Sequence, residues 1–362
     1  MLRIALVTQG DPDRVSGGSI YHRRIAELAD AHGAEIRFVV MPSRPFPLAI
    51  VDGPAALREA REGADVMVVD SLASNTLGPW ISAGLGRDVP IVGSVHQDVG
   101  GVDSGAVRRV LQARLDRMAW AGAAHLVVPS EHLAAQLVAH GLDRSTITVV
   151  QPGRDLPLPR VDHRAVPAVD LRRGRRTALL CVASWLPNKG VVELLDAVAA
   201  LPEPLAMLHL VGDEDVDRPY RRRVLQRLDR YRFDGRVVRH GIVAPEDIGA
   251  LYAAADAFVL ASASESYGMV YGEAMVAGLP IVGWAGGNLA NLVDDGVEGR
   301  VVPTGDGEGL IAALVELSTD GAMRERLGHA ARVRAAGLPT WAETAERFFT
   351  VCREVAAVAH AR

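Results

Sequence analysis

Two acids eight residues apart, Glu265 and Glu273, bracket the stretch ESYGMVYGE, which leaves the apolar run AFVLAS and enters a helix-like AMVAG. On one continuous helix, eight residues turn about 800°, leaving the carboxylates roughly 80° apart and about 12 Å along the axis. Such a pair would not converge on one small group. A strand–loop–helix serves better. Glu265 then stands on the loop at the strand's carboxyl end, Gly268 allows the tight turn, and Glu273 falls near the first helical turn. Amides near Met269 and Val270, at a helix start, make an anion site between two carboxylates that accept hydrogen bonds from hydroxyls. That layout suits a polyol joined to phosphate, and a nucleotide-sugar has it. The plain alternative is two helix-start acids stabilising a dipole.

Three further places carry candidate chemistry. Lys189 lies in ASWLPNKGVVELL, between a strand-like run and a helix, where a lysine can hold phosphate as a point charge. Lysines are few in this chain and arginines many, so a lysine here stands out. Gly17 and Gly18 follow the first strand and open the first helix, where backbone amides can approach an anion. No GxGxxG is present, so a dinucleotide fingerprint is not supported. His96 ends the run PIVGSVH, where it could hydrogen-bond a substrate; otherwise it is a surface or capping histidine. The acidic run Asp213-Glu214-Asp215 reads better as solvated and helix-capping than as a holder of a metal–nucleotide complex, so no metal is expected.

These residues need elements to hold them. Strand-like runs are RIALVT, EIRFVVM, DVMVVD, PIVGSVH, HLVVPS and TITVVQ, then ALLCVAS, LAMLHLVG, RVVRHGI, AFVLAS, PIVGWA and GRVVPT. Alanine- and leucine-rich helical stretches separate them. Continuous apolar strands alternating with helices imply parallel sheets covered on both faces. The pattern runs once, breaks over the proline-rich, charged residues 153–176, and runs again. The break reads as a linker. The expected architecture is α/β, with two doubly wound, Rossmann-like parallel-sheet domains facing a central cleft. They span 1–165 on the acceptor side and 166–340 on the donor side. A last helix over 341–362 could return to the first domain. In such sheets ligands bind beyond the carboxyl ends of the strands.

Composition narrows the function classes. The chain has 362 residues, 49% hydrophobic, with a net charge of −5. Two domains are the expectation at that length, and the acidic balance argues against nucleic-acid binding. The helices VRRVLQARLDRMAWAG and RRRVLQRLDRYR are basic but amphipathic. In the second, Val224, Leu225, Leu228 and Tyr231 share one face and the arginines line the other. Membrane contact is open but not favoured over plain packing on a sheet. The start MLRIALVTQG reads as a strand and not as a signal peptide, and no run of about 18 apolar residues occurs. Cys181 and Cys352 are isolated, indicating neither a disulfide framework nor a metal cluster. A cytoplasmic location is expected.

Taken together, these motifs resemble family 4 of the retaining nucleotide-sugar glycosyltransferases, which have the GT-B fold. ASASESYGMVYGEAMVAGLPIVGWAGG looks like the family's Glu-x7-Glu region, ALLCVASWLPNKGVVELLDAV like its phosphate-binding strand–loop–helix, and VSGGSIYHRRIAELADAHG like its first glycine loop. The resemblance implies transfer of a sugar from a UDP- or GDP-linked donor to an acceptor hydroxyl, with retention and without metal or other cofactor. It implies that Glu265 contacts sugar hydroxyls and that Glu273 accepts from the ribose. Tyr267, Gly268, Met269 and Val270 would cradle sugar and diphosphate through their backbone. Lys189 would neutralise the leaving diphosphate with help from Gly17 and Gly18, and His96 would contact the sugar. Two positions depart from the pattern. Ser184 stands where relatives commonly have arginine, with Asn188 as a neutral donor nearby, and Asn291 stands where they often have glutamate. A sugar-nucleotide epimerase on the same fold and a non-catalytic nucleotide-sugar-binding protein are the alternatives. The acceptor is not encoded in any motif found.

Overall fold

The structure, a computed structural model, describes residues 1–11, 16–101, 105–154, 170–233 and 235–360. Much of the expected linker, and the expected boundary at 165/166, lie outside the described residues. The chain divides into two compact units, Met1–Gly153 with Pro339–Arg362, and Arg154–Leu338.

Among the described residues the first unit holds six strands: β1 (Leu2–Gln9), β2 (Ala34–Met41), β3 (Val66–Asp70), β4 (Ile91–Ser94), β5 (His125–Val128) and β6 (Ile147–Val149). They form one parallel sheet in the order β2-β1-β3-β4-β5-β6. Residues Ile4 to Val7 and Val66 to Val69 are all buried, as strands covered on both faces must be. The helix Trp341–His360 belongs to this unit, where Phe348 and Phe349 are buried and Thr344 donates to the Gln151 carbonyl at 2.8 Å. The helix Ala106–Ala121 buries Leu115, Ala119 and Trp120 and leaves Val107 and Val110 exposed.

The second unit repeats the plan with β7 (Thr177–Val182), β8 (Ala206–Val211), β9 (Val237–Gly241), β10 (Ala257–Leu260), β11 (Ile281–Trp284) and β12 (Gly299–Val302). Its parallel order is β12-β11-β10-β7-β8-β9. The helix Arg218–Tyr231 buries Tyr220 and Val224, with Leu225, Leu228 and Tyr231 packed against the same core. Each sheet has a point where the chain reverses its direction of winding, between β1 and β3 in the first and between β7 and β10 in the second. Loops leaving two such neighbours diverge and open a crevice at the strands' carboxyl ends. No helix among the described residues is long and apolar enough to cross a membrane.

Candidate functional site

The crevice at β7 and β10 collects the strongest candidates. After β7 the chain makes a single 3-10 turn, Pro187–Lys189, closed by Gly190 at φ +65. A Cβ at Gly190 would collide with the Ala261 carbonyl oxygen, so only glycine lets this turn lie against the loop after β10. Asn188 fastens the two loops further. Its carbonyl accepts from the Ala263 amide at 2.8 Å and from Ser262 Oγ at 2.9 Å, and its Nδ2 donates to the Ser264 carbonyl at 3.2 Å. The result is that Lys189 Nζ lies 2.5 Å from Glu265 Oε1. The lysine side chain is 23% exposed and the glutamate 9%. Lys189 is also the one lysine in the whole chain, among 39 basic residues.

Gly268 has φ +90 and caps the helix Met269–Ala277. A side chain there would strike the Tyr271 ring. Met269 and Val270 are the first two helical residues, so their amides have no acceptor within the helix. Tyr267 is buried, and its carbonyl accepts from Asn288 Nδ2 at 3.0 Å. The Asn288 amide donates to the Glu265 carbonyl at 2.9 Å, and Asn291 Nδ2 reaches Asn288 Oδ1 at 3.1 Å. Asn291 therefore braces the loop that carries Glu265. Glu273 lies deeper than the first helical turn, because the helix starts as early as Met269. It accepts a 2.8 Å hydrogen bond from the Tyr252 hydroxyl. Burial raises its pKa, and the tyrosine bond lowers it.

Ser184 sits partly buried just past β7, and its carbonyl accepts from the Leu186 amide. One N–H of the Asn188 side-chain amide, expected as a neutral donor to a ligand, goes to the Ser264 carbonyl, while its Oδ1 is buried without a partner among the described residues. The acidic run after β8 is used locally: Glu214 pairs with Arg239, Asp215 with Arg221, and Asp217 caps the helix Arg218–Tyr231. No group of three or more potential metal-ligating side chains occurs among the described residues.

The other candidates gather in the first unit. Gly17 and Gly18 form the first turn of the helix Gly17–Glu27, capped by Ser16 Oγ, which accepts from the Ser19 amide at 3.2 Å. Gly18 lies against the His96 ring. His96 stands two residues beyond the end of β4, not at its last position. Its Nε2 is 3.0 Å from Ser94 Oγ and 3.2 Å from His22 Nε2, and its ring packs on Tyr21 with centroids 4.8 Å apart. Desolvation lowers the pKa of His96 to about 3 and that of His22 to about 4, so both rings are neutral at neutral pH.

Sequence reasoning missed His22, Ser94, Tyr252 and Asn288. Periodicity placed His22 on a helix and Ser94 in a strand, but gave no sign that the two side chains meet.

Comparison with known proteins agrees with this plan. Residues 3–153 match a family model described as a glycosyl transferase 4-like domain, and residues 176–320 one described as glycosyl transferases group 1. The D-inositol 3-phosphate glycosyltransferase of Thermomonospora curvata is 30% identical over 298 residues, covering 75% of this chain and 69% of that protein. Mannosylfructose-phosphate synthase of Agrobacterium fabrum is 30% identical over 226 residues, covering 59% and 48%. The chain spans about half the length of several curated relatives that it matches. Sucrose-phosphate synthase from Thermosynechococcus elongatus superposes with a TM-score of 0.83 at 23% identity, covering 99% of this chain and all of that one. Anabaena HepE, solved with UDP and glucose, gives 0.79 at 20% identity, covering 98% and 100%. These likenesses fix the fold as GT-B. Transferases and synthases, not epimerases or binding modules, are the names these relatives carry.

Proposed function

We propose, since the chain belongs to the family 4 glycosyltransferases, that it moves a sugar from a UDP- or GDP-linked donor to an acceptor hydroxyl with retention of anomeric configuration. The observation that carries this reading is the chain's single lysine held 2.5 Å from a mostly buried glutamate, beside a helix N-terminus. A leaving diphosphate carries the negative charge that Lys189 and the amides of Met269 and Val270 are arranged to receive. Glu265, acceptor-only when ionised, is suited to orient sugar hydroxyls next to that diphosphate. Glu273 is assigned to the ribose, and His96 to a sugar hydroxyl. Gly17 and Gly18 present helix-start amides to an anion.

In the proposed reaction the bond from the anomeric carbon to the phosphate oxygen breaks. The acceptor oxygen bonds to the same face, and its proton passes to that phosphate oxygen. Positive charge comes from Lys189 and helix amides, so metal independence is part of the reading, and transfer should survive excess chelator. Ser184 in place of an arginine leaves Lys189 as the cation at this loop, which supports modest donor affinity. A thermal-shift screen of UDP-, GDP- and ADP-sugars, followed by transfer assays with the best binder, tests the proposal. No shift with any donor would count against it.

A further inference from the structure

We propose that His22 and Ser94 are positioning residues that hold His96 in the tautomer with its proton on Nε2, so that Nδ1 is the acceptor offered to a substrate hydroxyl. Three atoms from three elements form a closed triangle. His22 Nε2, on the helix Gly17–Glu27, is 2.9 Å from Ser94 Oγ at the end of β4. Ser94 Oγ is 3.0 Å from His96 Nε2, and the two Nε2 atoms are 3.2 Å apart. His22 is 3% exposed and Ser94 fully buried, so water is not the partner of either.

Ser94 is buried and its hydroxyl has no other acceptor than these two ring nitrogens among the described residues, so the nitrogen that takes its proton is bare. His22 Nδ1 decides which. It faces Asp70 Oδ2 at 4.0 Å, with both side chains 4% exposed. That carboxyl accepts from Thr8 Oγ1 at 2.7 Å and from Ser71 Oγ at 3.2 Å. At 4.0 Å this is an electrostatic contact and not a hydrogen bond, and the negative end of the carboxyl favours the proton on the ring nitrogen that faces it. His22 Nε2 is then bare and takes the Ser94 hydroxyl proton. Ser94 Oγ in turn accepts from His96 Nε2–H, which leaves His96 Nδ1 with a lone pair. His96 Nδ1 has no hydrogen-bond partner among the described residues, so its lone pair is left for a ligand. The order runs Asp70, His22, Ser94, His96, with every proton pointing back toward the carboxyl. Both rings stay neutral because burial holds their pKa values far below neutrality.

The tautomer rests on the buried triangle and the Asp70 contact; that a substrate hydroxyl meets Nδ1 rests on the proposed transferase function. The test separates the two. Ring nitrogen NMR of the full ¹⁵N-labelled chain at neutral pH should show His96 with a protonated Nε2 and a bare Nδ1. Ser94→Ala and His22→Phe should each mix the tautomers, and kcat/KM should fall about threefold to tenfold, the worth of one neutral hydrogen bond. A wild-type His96 protonated on Nδ1 would overturn the proposal even if a variant failed to fold. So would a single Nε2–H tautomer that persists in both variants. Absence of any sugar transfer by a chain that shows the expected tautomer would instead sink the functional reading and leave the positioning role standing.

Discussion

Replacing Lys189 by methionine keeps the stem of the side chain and removes its charge. In the native chain its Nζ is 2.5 Å from Glu265 Oε1, with 23% of the lysine side chain and 9% of the glutamate exposed. Deleting one partner of a buried pair costs about 3–5 kcal/mol, because the other charge is left in a dry place. The lysine still reaches solvent, which screens the pair, so about 1–3 kcal/mol is expected here. Glu265→Gln leaves behind a lysine that can turn to water and should cost less, about 1 kcal/mol or below. The double variant Lys189→Met/Glu265→Gln should then recover part of the loss, which two independent sites would not do. Donor binding answers differently. A charge-assisted hydrogen bond is worth about 1.5–3 kcal/mol, so the methionine variant should bind its donor about 10- to 150-fold more weakly. Urea unfolding measures the first effect and calorimetric titration with UDP- and GDP-sugars the second. A methionine variant as stable as the parent, with unchanged donor affinity, would refute the reasoning at both points.

Other predictions concern the supports of the site. Gly268→Ala places a side chain at φ +90 against the Tyr271 ring, so stability should fall by about 1–3 kcal/mol and donor binding should weaken, as melting curves and titration would show. Tyr252→Phe removes the hydrogen bond that lowers the Glu273 pKa, so burial raises it further. The acid limb of donor affinity should then move to higher pH, which titrations over about pH 5 to 8 would detect. Asp116, buried and bonded to Ser74 Oγ at 2.7 Å and the Gly100 amide at 2.9 Å, has its pKa raised by desolvation from 3.8 to about 6. Folding takes up a proton between those values, so its contribution is present at the acid end and is lost as pH rises through about 6. The loss is at most about 3 kcal/mol at 1.36 per pH unit. Asp116→Asn should flatten that slope in urea unfolding followed across the same range.

All twelve strands found among the described residues were legible as short runs rich in β-branched and aliphatic residues bounded by breakers; the central ones are buried on both faces, whereas β2 alternates and exposes Glu35 and Arg37, and β9 exposes Arg239. The Glu265–Gly268 turn was legible because a glycine between a strand and a helix has few other uses. Glu273 was placed a turn too early, since the sequence does not mark Met269 as the helix start: the cap is a glycine backbone and not a serine or aspartate side chain. The partners were illegible for a different reason. His22 and Ser94 are separated by 72 residues, and Tyr252 and Glu273 by 21, so only packing brings them together. Asn188 was read as a neutral donor because its type allowed it. The close approach of two loops at Gly190 gives one of its amide protons a backbone acceptor, which sequence does not show.

The most direct test mixes the chain with UDP- and GDP-sugars and a panel of hydroxylated acceptors, and follows nucleoside diphosphate release and product anomer by NMR, for the parent and for Glu265→Ala. The account predicts release of UDP or GDP with a retained anomer in the parent, and a loss on the order of 100-fold in the variant, the scale of one transition-state contact. Turnover with inversion, or a Glu265→Ala variant as fast as the parent, would contradict it.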